Sequence, residues 1–204
     1  MSAVSECFQE GYAKSINSLK EKYKGKIDIK LGFELEYYPA LFEKEIEFLK
    51  TFNYDYLILG QHYVDNEYED YAIYSDSPTK SPAVLDKYIR QVILGAKSGY
   101  YTYVAHPDLI NFKGDSELYI KKMTYMITEL KKIGIPLEFN FLGFTAKRNY
   151  PNLDFWKIVS KVGNDVVIGL DAHSPSVYDD KENLERAKKY LKSLNITPLD
   201  KIEL

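Results

Sequence analysis

The sequence predicts an α/β fold with a parallel sheet, and two observations support that prediction. Short apolar segments of strand length alternate with amphipathic segments of helix length along almost the whole chain. Apolar residues make up 45% and charged residues 28% of the 204 residues, the balance of a chain that can bury a core. No linker or low-complexity tract interrupts the alternation, so we expect a single domain over residues 1–204.

The first third of the chain contains two predicted helices, two predicted strands and one long connection. Apolar residues at steps of three and four predict the helices, and short apolar runs predict the strands. In order, these are a helix over 4–23, a strand over 27–33, a helix over 42–52 and a strand over 56–60. The stretch 63–81 is acidic, rich in tyrosine and aperiodic, and its length predicts a lid or rim loop.

The remaining two thirds repeat the same pattern with clear helix boundaries. Ser81 is a predicted N-cap with Pro82 at the first helical position, and Gly99 is the predicted stop of that helix. The later elements are a strand over 101–105, a helix through 123–130 ending at Gly134, a strand over 136–140, a helix over 152–163 capped by Asn152, a strand over 166–170 and a helix over 184–194.

Charge, hydropathy and cysteine usage narrow the class of protein. The 27 basic and 30 acidic residues leave a net charge of -3, which argues against a broad nucleic-acid surface. Apolar runs such as 166–170 fall far short of the roughly 18 residues that cross a bilayer, so we expect no membrane partner. Cys7 is the single cysteine and the amino end lacks a signal-peptide pattern, which together predict a cytoplasmic protein.

Imidazole and carboxylate side chains follow directly on the predicted strands. In parallel α/β folds the carboxyl ends of the strands carry the site, and all three histidines of the chain fall there. These groups are the ligand set for zinc, manganese or iron, so the sequence predicts a shared site for divalent metal ions. Its candidate ligands are Glu34, His62, His106, Asp171 and His173.

Each candidate also has a second interpretation. Glu36 lies two positions after Glu34, on the same face of the strand, and could be the ligand in its place. The others have structural interpretations: a hydrogen-bonded core imidazole for His62, a turn at His106 with Asp108 as a helix N-cap, and a helix entry for Asp171 to Pro175. A shared metal site accounts for all of these residues together.

Five short strings resemble, in order and spacing, the later motifs of the polymerase and histidinol phosphatase (PHP) superfamily, in its histidinol-phosphatase branch. The resemblance covers nearly the whole chain from about residue 10. The strings are Gly32-Phe33-Glu34, Gly60-Gln61-His62, Ala105-His106-Pro107-Asp108, Leu137-Glu138-Phe139-Asn140 and Gly169-Leu170-Asp171-Ala172-His173-Ser174-Pro175.

The resemblance implies a distorted (β/α)7 barrel in which up to three metal ions and a metal-bound hydroxide hydrolyse a small phosphate monoester. It implies that Glu34 is the bridging carboxylate and that His62 and His106 complete the shell of one metal. Asp171 resembles a ligand of the neighbouring metal, and His173 a ligand of the third. Arg148 lies in a loop where the family often has a basic residue, and a guanidinium suits bidentate phosphate binding, although a solvated loop arginine is an equal alternative.

The chain departs from the family pattern at its amino end. The family opens with a strand ending in His-x-His and a later strand ending in a histidine, and this sequence contains neither. We therefore expect a barrel incomplete at the amino end, with strand edges near 27–33 that a second copy covers in a homo-oligomer. We also expect metal binding with weak or undetectable phosphatase activity, because fewer metals would stabilise the transition state.

Two functions remain open on the sequence. One is a metal-dependent phosphoesterase resembling histidinol-phosphatase, and the other is a catalytically inactive metal-binding remnant of the PHP fold. An amidohydrolase-type barrel is less suitable because no lysine directly follows any of the five strands. The sequence also lacks the G-x-x-x-x-G-K-[ST] phosphate loop, and its cysteine is not near an arginine, which argues against kinase and cysteine-phosphatase chemistry.

Overall fold

The computed structural model describes residues 3–204, with side-chain environments from residue 9 onward. Within this range the helices are α1 (Ala3–Lys22), α2 (Phe42–Lys50), α3 (Pro82–Lys97), α4 (Ser116–Ile133), α5 (Phe141–Ala146), α6 (Leu153–Val162) and α7 (Lys181–Ser193), with a 3₁₀ helix at Pro175–Asp179. The strands are β1 (Gly32–Leu35), β2 (Tyr56–Leu59), β3 (Tyr63–Val64), β4 (Ile73–Tyr74), β5 (Tyr103–Val104), β6 (Leu137–Asn140) and β7 (Val166–Gly169).

Five of the strands form one parallel sheet in the order β1-β2-β5-β6-β7. Each neighbouring pair is parallel, which confirms the predicted α/β class with a parallel sheet and connecting helices. In residues 3–204 β1 and β7 are the two edges of this sheet, so the five strands do not close into a barrel. Because the strands are parallel, their carboxyl ends all lie on the same side of the sheet, and the predicted site residues lie at or just after these ends.

The core lies between the sheet and the helices packed on it. Helices α3 and α6 each contact α4, so the three form a continuous layer. Their buried faces, together with β2 and β6, remove large apolar side chains from water, the main favourable contribution to folding. Fully buried examples are Leu57, Leu59, Leu85, Met123, Phe139, Phe155 and Trp156.

The helix boundaries follow the predicted capping residues. The Ser81 side chain accepts a hydrogen bond from the Val84 N–H at the start of α3, with Pro82 in the first turn. The Asn152 side chain likewise accepts from two N–H groups of α6. Gly134 ends α4 and Gly163 ends α6 at φ of 79° and 77°, a left-handed conformation that glycine adopts without steric cost.

Two predictions near the amino end need correction. The strand predicted over 27–33 is shorter, because residues 27–31 are irregular and the Leu31 N–H donates to the Asp55 carboxylate instead of a neighbouring strand. The apolar face predicted for α1 is only partly buried, with Tyr12 and Leu19 more than a third exposed. The side chain of Val4, at the start of that predicted face, lies outside the described residues.

Two short elements were not predicted. The stretch 63–81 contains an antiparallel pair, β3 and β4, where the sequence predicted only a loop. Helix α5 follows β6 without a connection, and the Asn140 side chain caps it by accepting from the Gly143 N–H. The first depends on pairing between two separate segments and the second on a side-chain cap. Apolar periodicity indicates neither.

Among the helices of residues 3–204, none combines the length and the hydropathy that a bilayer span requires.

Candidate metal centre

Three of the candidate ligands meet where the strands β1, β2 and β5 end. Glu34 lies within β1, His62 follows β2 by three residues, and His106 follows β5 by two. Because these three strands are neighbours in the parallel sheet, their carboxyl ends project side chains into the same space. One ligand atom from each residue lies within 4.8 Å of the other two, so the side chains converge as predicted.

The spacing of the three ligand atoms fits a divalent metal ion. Glu34 Oε1 lies 3.1 Å from His106 Nε2 and 3.6 Å from His62 Nε2. Ligands about 2.1 Å from a tetrahedral metal are about 3.4 Å from one another, which both distances approximate. One carboxylate with two imidazoles is also a donor set that zinc uses at catalytic sites.

A glycine provides the room that the Glu34 carboxylate occupies. A Cβ placed on Gly60, at the end of β2, would lie only 1.8 Å from Glu34 Oε1. Any larger residue there would displace the carboxylate. The string Gly60-Gln61-His62 therefore supplies both a ligand candidate and the space for its neighbour on β1.

His106 is held more rigidly than the other two residues. Its side chain is 4% exposed, compared with 36% for His62 and 38% for Glu34. The His106 backbone has φ of 30°, a left-handed conformation that is strained for a residue with a Cβ. Its N–H donates to Glu138 Oε2 at 2.9 Å, which stabilises this turn.

Asp108 supports the same turn from below. Its Oδ2 accepts hydrogen bonds from the Asn152 N–H and the Trp156 indole N–H, tying the turn to α6. On the sequence, Asp108 had a second interpretation as the N-cap of a helix. The structure corrects this, because no helix begins at Asp108 and its buried carboxylate instead holds the turn against α6. Burial raises the pKa of this carboxyl to about 6.

Glu34 and His106 change each other's proton affinity. Burial alone would raise the pKa of Glu34, but its hydrogen bond to His106 and the nearby imidazoles outweigh burial and leave that pKa below its ordinary value. Burial alone would lower the pKa of His106, and the Glu34 carboxylate reverses this, so that pKa is raised. A carboxylate and an imidazole that stabilise each other's charge are a suitable binding site for a cation that replaces the proton.

Glu36, the alternative to Glu34, lies outside this group of three. Its Oε2 accepts from the backbone N–H groups of His62 and Tyr63, at 3.0 and 2.8 Å. Its carboxylate is thus engaged with the loop after β2, on the other side of His62 from Glu34.

The carboxyl ends of β6 and β7 carry a second polar group. Asn140 Nδ2 bridges two carboxylates, at 3.1 Å from Glu138 Oε2 and 3.2 Å from Asp171 Oδ2. A cavity of about 180 Å³ lies between this group and the first. Its lining includes Glu34, Tyr103, His106, Glu138, Asn140 and Asp171. Two strand ends are therefore coupled to the first group through one polar space.

Glu138 was not predicted as a site residue. Its side chain is buried, and burial raises the pKa of its carboxyl despite hydrogen bonds from His106 and Asn140. A glycine again makes room, since a Cβ on Gly169 would lie 1.6 Å from Glu138 Oε1. The available signal was a glutamate and an asparagine in Leu137–Asn140, a strand that is buried throughout.

His173 is not brought into the first group. Its side chain is 73% exposed, and its Nδ1 lies 2.8 Å from the backbone oxygen of Asp171. Asp171 has φ of 47° and lies between Asn140 and His173. Both residues lie at the predicted edge, and their roles as ligands remain predictions.

Arg148 lies in the loop after α5, near the first group through an aromatic side chain. Its Nη1 donates to the Tyr150 hydroxyl at 2.8 Å, and its guanidinium lies 5.8 Å from the centre of the Tyr150 ring. The same ring is 5.8 Å from the His106 ring. The backbone places this cation beside the site, and its contact with a substrate remains a prediction.

Comparison with known proteins identified one curated relative, and no family model matches the chain. This relative, named "Probable histidinol-phosphatase", is from Deinococcus radiodurans and is 27% identical over 180 residues. The match covers 80% of this chain and 65% of the relative, so the chain spans less than two thirds of that protein's length.

Two solved structures share the fold. Histidinol phosphate phosphatase (HisK) from Lactococcus lactis, complexed with zinc, L-histidinol and phosphate, has a TM-score of 0.70 at 19% identity. The match covers 95% of this chain and 77% of the Lactococcus lactis chain. The "putative histidinol phosphatase hisK" from Listeria monocytogenes has a TM-score of 0.63 at 19% identity. That match covers 86% of this chain and 75% of the Listeria chain. The relative and both structures are named as histidinol phosphatases, the group of enzymes that the five sequence strings resemble.

Proposed function

We propose that this protein is a metal-dependent phosphatase that hydrolyses a small phosphate monoester of the histidinol phosphate type. The observation that carries the proposal is the convergence of Glu34, His62 and His106 within 4.8 Å at the strand ends. The curated relative and the Lactococcus lactis structure, which contains zinc, L-histidinol and phosphate, support the same class of reaction.

In this proposal Glu34, His62 and His106 hold one divalent ion, and Asp171 and His173 hold further ions. A divalent ion held there would supply Lewis-acid chemistry, polarising phosphoryl oxygens and lowering the pKa of water, so that no side-chain nucleophile would be required. Zinc, manganese and iron all suit this donor set.

The remaining residues bind and orient the substrate. The Arg148 guanidinium has five N–H donors, and its bond to the Tyr150 hydroxyl uses one of them. We assign it to the phosphate group, where two parallel N–H donors fix orientation. The cavity lined by Glu138, Asn140 and Asp171 lies next to the three-ligand group, and its acceptors orient groups that enter it.

The proposal extends to the architecture and the setting of the protein. We assign residues 1–204 to one PHP-like domain, in which the five-stranded sheet is the later part of a distorted (β/α)7 barrel. We assign it to the cytoplasm. We also propose a homo-oligomer, because β1 pairs only with β2 among the described strands and its other edge can accept a second copy. Light scattering that finds only a 23.7 kDa particle at micromolar concentration would contradict the oligomer.

A second candidate is a metal-binding protein without turnover. The observation in its favour is that residues 3–204 bring only one group of three potential ligands together. Phosphoryl transfer at two-metal sites depends on clamping the attacking and the leaving oxygen at once, and one ion cannot do this alone.

Turnover and metal binding, measured on the same samples, distinguish the two functions. The assay follows hydrolysis of histidinol phosphate and of p-nitrophenyl phosphate with manganese, zinc or iron. The phosphatase predicts turnover that His106→Ala abolishes and that Glu117→Gln, a change at an exposed position of α4, leaves intact. Zinc binding that requires His106, with no hydrolysis of either substrate under any metal, supports the second candidate. Turnover that survives His106→Ala contradicts the proposed site.

A further inference from the structure

The His62 ring lies between two carboxylates, one at each of its nitrogens. Nε2 is 3.6 Å from Glu34 Oε1, within the three-ligand group. Nδ1 is 3.6 Å from Glu36 Oε1, on the opposite side of the ring. Because the ring presents one nitrogen to each glutamate, the two carboxylates have different tasks.

Glu36 is fixed in place by its other oxygen. Oε2 accepts from the N–H groups of His62 and Tyr63, and from the Gln61 side-chain amide at 3.2 Å. Gln61 is itself buried and accepts from the Tyr37 N–H at 3.0 Å. The Glu36 side chain is only 14% exposed, so its Oε1 is held facing His62 Nδ1.

This arrangement selects one tautomer of His62. A neutral imidazole carries one proton, and a carboxylate can only accept a hydrogen bond. Glu34 Oε1 is equally close to Nε2, but it also lies 3.1 Å from His106 Nε2 and can take its hydrogen bond from that ring. Glu36 therefore favours the His62 proton on Nδ1, which leaves the lone pair of Nε2 available to a metal. The present separation is roughly 0.5 Å longer than a hydrogen bond, which a small rotation of the ring would close.

We propose that Glu36 is the positioning residue of the metal centre, which holds the Nδ1 proton of His62 and thereby presents Nε2 to the metal. The inference rests on the proposed function, because it assumes that His62 is a ligand. Histidine ligands commonly donate their second N–H to a carboxylate or a carbonyl, and loss of that partner weakens metal binding by about 10- to 100-fold. Glu36 also forms the wall of the turn that carries His62, so one side chain orients both the backbone and the ring.

The decisive variant is Glu36→Gln. The amide oxygen can replace Oε2 and keep the three hydrogen bonds that stabilise the turn. The amide NH₂ then faces Nδ1 and donates to it, which moves the imidazole proton to Nε2, the nitrogen that should bind the metal. We expect thermal unfolding of the metal-free protein to remain within a few degrees of wild type, and zinc affinity from chelator competition to fall by about 10- to 100-fold.

Glu45→Gln is the matched control. Glu45 lines the same cavity as Glu36 and His62 but lies outside the three-ligand group, so zinc affinity should stay within about threefold of wild type. If Glu36→Gln does not fold, Glu36→Asp provides the test, since it keeps the acceptor but is too short to reach both the backbone and Nδ1. It should weaken zinc binding without any loss in the control.

The tautomer can be observed directly, whether or not the protein binds metal. Long-range ¹H–¹⁵N correlation spectra of the metal-free protein at about pH 9, where ordinary imidazoles are neutral, distinguish the two forms. We expect the His62 proton on Nδ1 in the wild type and on Nε2 in Glu36→Gln. The same tautomer in both proteins overturns the inference, and so does unchanged zinc affinity in Glu36→Gln. A protein that binds no zinc but shows the tautomer switch refutes the proposed function and leaves the role of Glu36 in orienting His62 intact.

Discussion

Two groups of polar side chains lie at the carboxyl ends of the parallel strands, and they differ in how firmly the protein holds them. Around β1, β2 and β5, Glu34, His62 and His106 converge within 4.8 Å, and a glycine, a buried turn and Glu36 hold them there. Around β7, Asp171 is anchored to Asn140 but His173 is 73% exposed. The first group is organised by the protein alone, whereas the second leaves one imidazole free to adjust to a ligand. Preorganisation of this kind determines which group should bind a metal first.

His106→Ala should have the largest effect on this comparison. It removes the most buried of the three ligand candidates, so we expect affinity for the first equivalent of zinc to fall by about 10³-fold, more than the loss of a supporting residue causes. Isothermal titration of zinc into the metal-free protein measures it. Retention of wild-type affinity would show that the first group is not the primary metal site.

Asp108→Asn tests the buried support beneath that group. In the folded protein burial raises the pKa of Asp108 from an ordinary 3.8 to about 6, so the folded state retains this proton to higher pH than the unfolded state does. The resulting stabilisation is complete below about pH 4 and is lost as the pH rises through about 6, which asparagine avoids.

The free energy of unfolding of Asp108→Asn, relative to wild type, should therefore increase between about pH 4 and about pH 7, by up to about 3 kcal/mol. Urea unfolding in the presence of a chelator at several pH values measures this difference. A difference that stays constant with pH contradicts the assigned burial cost.

Gly60→Ala tests the space that Glu34 occupies. The added methyl group would meet Glu34 Oε1 at 1.8 Å and force the carboxylate out of line with the two imidazoles, so zinc affinity should fall by about tenfold. Gly11→Ala is the matched control, because a Cβ at this position in α1 meets nothing within 4 Å. Equal zinc affinity in both variants would show that the carboxylate tolerates displacement.

His173→Ala should have the smallest effect and serves as the counterpart of His106→Ala. Because the imidazole is exposed and lies outside the first group, affinity for the first zinc equivalent should change by less than about threefold. A loss as large as that in His106→Ala would mean that the second group closes onto the first when metal binds.

The strand ends were predictable because the residues that identify them are adjacent in the sequence. A buried apolar run followed by a histidine or an acidic residue identifies a carboxyl end, and parallel pairing brings such ends together regardless of the distance in sequence. From the sequence, Glu34 was predicted as the ligand and Glu36 was kept as its alternative, because alternation places both on one face. The structure adds the different surroundings of the two carboxylates. The difference depends on β1 ending at Leu35, after which the chain turns and Glu36 contacts the backbone of the next loop.

The supporting residues were harder to find because their partners are distant in sequence. Glu138 bonds the His106 N–H from 32 residues away, and Asp108 bonds the Trp156 indole from 48 residues away. Nothing local distinguishes these carboxylates from surface ones. The β3–β4 pair was missed for a different reason, since two-residue strands have too little sequence to show a period.

That pair of strands has a consequence for how the protein can change over evolution. The Ser75 N–H donates to the carbonyl oxygen of His62. This hydrogen bond closes the segment between the two residues into a loop that begins and ends beside the three-ligand group. The residues between β3 and β4 expose Tyr68 and Tyr71, and Tyr68 also lines the cavity that contains Glu34, Glu36 and His62. Neither β3 nor β4 belongs to the parallel sheet, so substitutions at the exposed positions between them can accumulate over evolution and reshape the rim of this cavity while the strands next to Glu34, His62 and His106 stay in place.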